Sequence, residues 1–195
     1  MVLGASGGVG MAAIDIGVAL GADVIACAST PQKLLACKDA GASTLINYTE
    51  GSFKQSLKDA GVYGSVDVIY DPVGGHHSEV AIRSLGWGGR HVVIGFASGG
   101  ATPKNAIPKI PLNLALLNER EILGCFWGAW KMRDGNETNR KNIEKMLVMV
   151  ANGKLKPFVS RKYALNDFAA AFRAMMSREV VGKITIEMTA IPSRL

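Results

Sequence analysis

Residues 1–130 predict a doubly wound α/β domain on a parallel sheet, and residues 131–195 predict an extension of two helices and a strand. Three observations carry this. Short β-rich runs alternate with helical stretches, as βαβ units require. Several runs are apolar at consecutive positions, the pattern of strands buried on both faces. The first run closes on a glycine-rich turn that opens a helix.

Taken in order, the strand segments are MVL (1–3), DVIAC (23–27), TLIN (44–47), VDVIYD (66–71) and RHVVIGF (90–96), separated by helical stretches at 8–20, 31–40, 52–60 and 75–85. The second helix is well punctuated: Thr30 suits its cap, Pro31 its first position and Gly41 its stop. GWGG at 86–89 reads as the tight turn feeding the fifth strand, and the stretch from Gly99 to Pro111 as a surface loop. A short helix near 112–117 then leads to a sixth strand, EILGCF (121–126). Beyond it, Ile143, Met146, Leu147 and Val150 form an i, i+3, i+4, i+7 stripe on a helix over 137–152 that stops at Gly153. Phe168, Phe172 and Met175 do the same for 167–177 after a cap at Asn166. KITIEM (183–188) closes as a strand, and the residues from Thr189 on read as a loose tail.

At 195 residues and 48% hydrophobic, the chain has the balance of one globular domain with an appendage and not of a disordered chain. Its 23 glycines lack a three-residue period and its three cysteines are too few for a disulfide scaffold, which excludes the collagen-like and disulfide-framework classes and favours a reduced setting. The longest apolar stretch, Val9 to Ala28, is broken by Asp15 and Asp23, and Met1 is followed by no basic region of a secretory signal. A soluble protein without membrane association is expected, cytoplasmic by default. The net charge of +6 divides into −2 over residues 1–100 and +8 over residues 101–195. No zinc finger or aromatic-interleaved RNA motif accompanies the basic half, so it reads as a solvated face ahead of a nucleic-acid surface.

The turn Gly4-Ala5-Ser6-Gly7-Gly8-Val9-Gly10 carries the chemistry. Successive backbone N–H groups at a helix start, with the positive end of the helix dipole, suit a pyrophosphate, and the glycines permit its close approach. With the strand before it and the repeated βα units, this reads as a Rossmann-type dinucleotide fold. The same glycines also fit the GxxxGxG spacing of short-chain dehydrogenases, but none of Tyr48, Tyr63, Tyr70 or Tyr163 has a lysine four positions on. A methyltransferase would want an acidic ribose ligand after the second strand. Instead of an acid, that strand ends Ala28-Ser29-Thr30, with Lys33 on the next turn. Two hydroxyls, a helix start and a lysine suit the 2′-phosphate of NADPH better than the bare ribose of NADH.

In order, GASGGVG (4–10), KLLACKDAGASTLINY (33–48), VDVIYDPVGG (66–75), GGRHVVIGFASG (88–99), IPLNLALL (110–117), GCFWG (124–128) and VVGKITIE (180–187) resemble the cofactor domain of the medium-chain dehydrogenase/reductase superfamily, quinone oxidoreductase branch. The resemblance implies that Ser6, Gly7, Gly8 and Val9 hold the pyrophosphate, and that Ser29, Lys33 and Tyr48 form the adenosine phosphate site. It implies that Gly74 and Gly75, with Gly95, Phe96 and Ala97, line the cofactor, and that Cys125, Phe126 and Trp127 lie near the nicotinamide. Core or subunit-interface packing serves Phe126, Trp127 and Trp130 equally well. The implied reaction is hydride transfer from NADPH to a quinone or α,β-unsaturated carbonyl, in a homodimer joined through the strand at 121–126.

In that family a substrate domain precedes the sheet, whereas here the chain begins inside the first strand, three residues before Gly4. The expectation is a shortened chain in which residues 131–195 would pack on an N-terminal catalytic domain. No catalytic acid is assigned within it. No metal site is expected either: adjacent His76 and His77 diverge on a helix, and Cys27, Cys37 and Cys125 lack CxxC spacing, Cys27 and Cys125 lying in apolar strand runs. The alternative to an enzyme is a dinucleotide-binding redox sensor or an RNA-binding protein.

Overall fold

The computed structural model describes residues 1–99, 107–133 and 136–188. The expectations for most of the loop before Pro111 and for the tail from Thr189 lie outside them. Alternate residues of a strand face opposite sides, so apolar residues at consecutive positions need cover on both. That cover is present here. Strands β1 (Val2–Leu3), β2 (Ile25–Ala28), β3 (Thr44–Asn47), β4 (Val66–Asp71), β5 (Leu85–Val93) and β6 (Glu121–Gly124) form one parallel sheet in the order β3-β2-β1-β4-β5-β6. Val2 and Ala26 pack in a cluster with Met11 and Ile14 of α1 (Gly8–Ala19) and Cys37 of α2 (Pro31–Asp39). Leu3 and Cys27 pack in the other, with Phe53 and Leu57 of α3 (Phe53–Asp59) and Ile82 of α4 (His76–Ile82). The predicted Rossmann-type doubly wound sheet is therefore present. Its order reverses between β1 and β4, where such sheets open a crevice at the strand ends.

Local signals account for the joints. Thr30 caps α2 by accepting from the Lys33 N–H at 3.3 Å, with Pro31 in the first helical position. Ser52 caps α3 by accepting from the Gln55 N–H at 3.4 Å. The GWGG segment differs from expectation. It lies inside β5, where Val66 pairs with Leu85 and Val68 with Arg90, so that residues 86–89 loop out of the ladder. Gly88 takes a φ of +65° there, and its N–H donates to the Asn118 carbonyl at 2.8 Å.

The chain after β5 departs further. A short helix α5 (Asn113–Leu116) precedes β6, which stops at Gly124 because its ladder partner β5 ends at Val93. Helix α6 (Trp127–Arg133) follows. Since β6 is an outer strand exposed along its length, the apolar run that would be buried in an inner strand is not. Cys125, just past it, is exposed instead of packed, while Cys27 and Cys37 are buried as expected of small apolar thiols.

Instead of two helices and a strand, the extension is α7 (Glu137–Ala151), β7 (Val159–Ala164), α8 (Phe168–Met176) and β8 (Lys183–Glu187), with β7 and β8 pairing in parallel as a separate sheet. The strand VSRKYA is too polar to announce itself, and its ladder with β8 supplies what its composition lacks. The helical stripes form but lie open: Leu147 is 63% exposed and Phe172 57%. Hydrogen bonds tie the extension to the sheet domain. The Lys156 N–H donates to Asp15 Oδ2 on α1 at 2.8 Å, and the Gly182 N–H donates to the Ser6 carbonyl at 2.8 Å. Among the described residues no helix is long and apolar enough to cross a membrane.

Helix α1 starts hard against the end of β1. A Cβ at Gly10 would lie 2.6 Å from both the Cα and the carbonyl oxygen of Ala5, backbone atoms that cannot yield cheaply. Gly10→Ala is expected to lower stability by about 2 kcal/mol in urea unfolding. An unchanged midpoint would contradict the close packing.

Candidate functional site

Gly4 follows β1 at a φ of +57°, and its carbonyl accepts from the Gly7 N–H at 3.0 Å, which turns the chain sharply into α1. The helix begins at Gly8 with Gly7 as its cap residue, no capping side chain and no acidic residue in its first turn. Its first amides and the positive end of its dipole are thus left for a ligand. Ser6 is buried, whereas Gly7 and Val9 are exposed at the mouth of the turn.

At the end of β2 the structure brings Ser29, Lys33 and Tyr48 together. The Lys33 ammonium donates to Ser29 Oγ at 3.4 Å, and Thr49 Oγ1 donates to the Ser29 carbonyl at 2.8 Å. Burial pushes the Tyr48 phenol up from its ordinary value, and the neighbouring Ser29 hydroxyl and Arg178 guanidinium pull it part of the way back. The Tyr48 ring stands 4.7 Å from that of His77 and 6.3 Å from that of Phe53, forming an aromatic wall beside the cluster. Burial, then the neighbouring His76, lowers the His77 pKa, so this wall is neutral at pH 7.

Arg178 is the member that the sequence did not reveal. It lies 145 residues beyond Lys33, in a left-handed turn at a φ of +59°, and its carbonyl accepts from the Lys33 ammonium at 2.8 Å. An arginine just past a helix end carries no local signal of such a position.

The loop after β4 is built around Asp71. Its Oδ1 accepts from the Val73 and Gly74 N–H groups, each at 2.9 Å, and its Oδ2 meets Ser78 Oγ at 2.5 Å and His91 Nε2 at 3.0 Å. Asp71, Ser78 and His91 are fully buried. Burial alone would raise the Asp71 pKa. The His91 bond, with those from Gly74, Ser78 and Val73, outweighs it and holds the carboxyl below its ordinary value. Gly74 and Gly75, at φ of +73° and +66°, turn this loop into α4. The Ala97 N–H donates to the Pro72 carbonyl at 3.1 Å and the Ser98 N–H to Val73 at 2.9 Å, so Gly95, Phe96 and Ala97 lie beside it.

The third expected group is divided. The Cys125 N–H donates to the Val93 carbonyl at 2.9 Å, next to the Gly95 loop. Phe126 is 78% exposed, and Trp127 turns into a groove with Ile16 and Leu20 of α1 and Ile143 of α7. Cys27 and Cys37 are inert by environment, burial pushing their thiols up to about 12 and about 11. Among the described residues no three His, Cys, Asp or Glu side chains gather as a metal site.

Residues 8–148 match the zinc-binding dehydrogenase family. The chain belongs to that family. It corresponds to the dinucleotide-fold part of the medium-chain dehydrogenase/reductase superfamily. Among relatives of this family member, quinone oxidoreductase-like protein 2 homolog of Nematostella vectensis is 32% identical over 95% of the chain and 49% of its own length. Quinone oxidoreductase 1 of Escherichia coli is 31% identical over 91% and 53%. The solved structure of Escherichia coli quinone oxidoreductase complexed with NADPH superposes with a TM-score of 0.76 at 27% identity, over 95% of this chain and 56% of that one. The chain spans about half the length of the curated relatives it matches.

Asp71 gives the site a pH dependence. Its depressed pKa contributes stability that is present above the unfolded carboxylate value of 3.8 and is lost as pH falls through the folded value. Asp71→Asn is expected to cost about 3 kcal/mol at pH 7, a deficit that shrinks as the pH drops below 3.8. Urea unfolding at pH 7 and pH 3 measures it, and a deficit that is the same at both would rule out an ionised hub.

Proposed function

We propose that this chain is the NADPH-binding part of an oxidoreductase that passes hydride to a quinone or an α,β-unsaturated carbonyl compound. The supporting observation is a pairing within one crevice. An uncapped glycine turn stands at the end of β1, and a cluster of Ser29, Lys33, Tyr48 and Arg178 stands at the end of the neighbouring β2. A helix start and a hydroxyl-and-cation cluster at the ends of adjacent strands suit a pyrophosphate and an adenosine 2′-phosphate on one molecule. The similar Escherichia coli quinone oxidoreductase is described as a complex with NADPH.

In this reading the amides of Gly8 and Val9 bind the pyrophosphate, on a turn that the Gly7 N–H closes by donating to the Gly4 carbonyl. Ser29, Lys33 and Arg178 take the 2′-phosphate, and no acid stands at the end of β2 to repel it. The tilted Tyr48 and His77 rings, backed by the buried Phe53, offer a neutral aromatic surface beside the adenosine. The loops of Gly74–Gly75 and Gly95–Ala97, held together by the Asp71 hub, orient the dinucleotide along the strand ends and exclude water on that side. NADPH, once bound, supplies the hydride, and the protein contributes position and shielding. Residues 131–188 would dock through the open faces of α7 and α8 on a substrate-binding domain like that of the longer relatives.

Calorimetric titration tests the seat. NADPH is expected to bind more tightly than NADH, and Lys33→Ala to weaken NADPH about tenfold by removing a charge-assisted contact, with little effect on NADH. Equal losses for the two cofactors would contradict the 2′-phosphate assignment.

A further inference from the structure

We infer that His91, buried in β5, is a positioning residue that holds the wall of the crevice beside the glycine turn. This rests on the reading of that crevice as a dinucleotide seat. A histidine is costly where this one stands. It is fully buried, it lies between Ile69 of β4 and Ile122 of β6 in the ladder, and an apolar run follows it. One bond offsets that cost. His91 Nε2 lies 3.0 Å from Asp71 Oδ2, while Nδ1 is buried and meets no hydrogen-bond partner among the described residues. Of the two neutral tautomers, only the one with its proton on Nε2 can donate to the carboxylate. The other would bury an unpaired N–H and set a lone pair against the anion.

Asp71 passes the constraint on. Its other side-chain partners, Val73, Gly74 and Ser78, belong to the loop after β4 or to the helix that the loop feeds. Among the described residues His91 alone ties the carboxylate to the neighbouring strand. Without that tie the carboxylate is free to turn, and the loop with it. The loop is a wall of the site, for a Cβ on Gly4 would lie 2.8 Å from Val73 Cγ2, so the Val73 side chain sits against the glycine turn itself. The loop after β5 follows, since the Ala97 and Ser98 N–H groups donate to the Pro72 and Val73 carbonyls. A path from His91 through Asp71 and Val73 to Gly4 thus sets how far this wall stands from the start of α1. None of its bonds involves Ser29 or Lys33, so it acts on NADPH and NADH alike.

Calorimetric titration of wild type, His91→Gln, His91→Asn and Val73→Ala tests the path. A Gln side chain carries its amide nitrogen at the reach of imidazole Nε2, and the shorter Asn does not. His91→Asn is expected to bind NADPH and NADH about tenfold more weakly, and His91→Gln within about twofold of wild type. Val73→Ala breaks the path at its far end and leaves the buried bonds intact, so it decides the question even if His91→Asn does not fold. It is expected to weaken both cofactors about threefold. Adenosine 2′-monophosphate, which reaches only the Ser29 cluster, should bind all four proteins equally. Nitrogen-15 spectra of the wild-type imidazole should show Nε2 protonated and Nδ1 bare. Unchanged NADPH affinity in His91→Asn or Val73→Ala, or a proton on Nδ1 in place of Nε2, would overturn the role of His91 while leaving the dinucleotide seat intact. Equal losses in His91→Gln and His91→Asn, or a matching loss of adenosine 2′-monophosphate, would overturn it too, by showing a packing role only. Wild type that binds adenosine 2′-monophosphate but neither NADPH nor NADH would instead bring down the glycine-turn reading and this inference with it.

Discussion

Helix α1 can start where it does only because Gly10 has no side chain, and most of the functional architecture follows from that contact. Seating the helix against Ala5 brings its N-terminus to the end of the central strand, beside the point where the sheet order reverses. A longer approach would leave room for a side chain, but would draw the helix amides away from the crevice. The same seating exposes the Ser6 carbonyl and the Gly7 backbone to pairing by Gly182, so the extension docks on the turn itself. One steric condition thus sets both the anion-binding end of the helix and the position of the segment that covers it.

A second condition acts across the crevice. Asp71 ends β4 and holds four donors from the loop after it, from α4 and from β5. A buried carboxylate is costly unless its oxygens are all engaged, and here they are. The gain is a loop whose two left-handed glycines stay fixed without a ligand. The loop after β5 leans on it through the Pro72 and Val73 carbonyls. The loops after β4 and β5 are therefore tied together by hydrogen bonds, while the segment from Phe126 through α6 carries exposed aromatic side chains.

Legibility in the sequence followed burial. The strands inside the main sheet and the helices between them were readable because cover on both faces demands apolar runs, and because Thr30, Pro31 and Gly41 mark their joints. GWGG misled because a glycine-rich bulge within a strand has the composition of a turn before one. The strand at Val159–Ala164 was invisible because its partner β8 determines it more than its own residues do. Ser29 and Lys33 were legible from the end of β2 and the helix that follows it, and Tyr48 through the family resemblance. Arg178 was not, since only the long-range docking of the extension carries it to the crevice.

Amide resonances followed by NMR while NADPH is added to the whole chain test whether a dinucleotide lies across the start of α1 and the end of β2. The largest shifts are expected at Gly7, Gly8 and Val9 and at Ser29 and Lys33, saturating together at one affinity. Shifts confined to the groove between α1 and α7, with the glycine-turn amides unmoved at saturation, would contradict it.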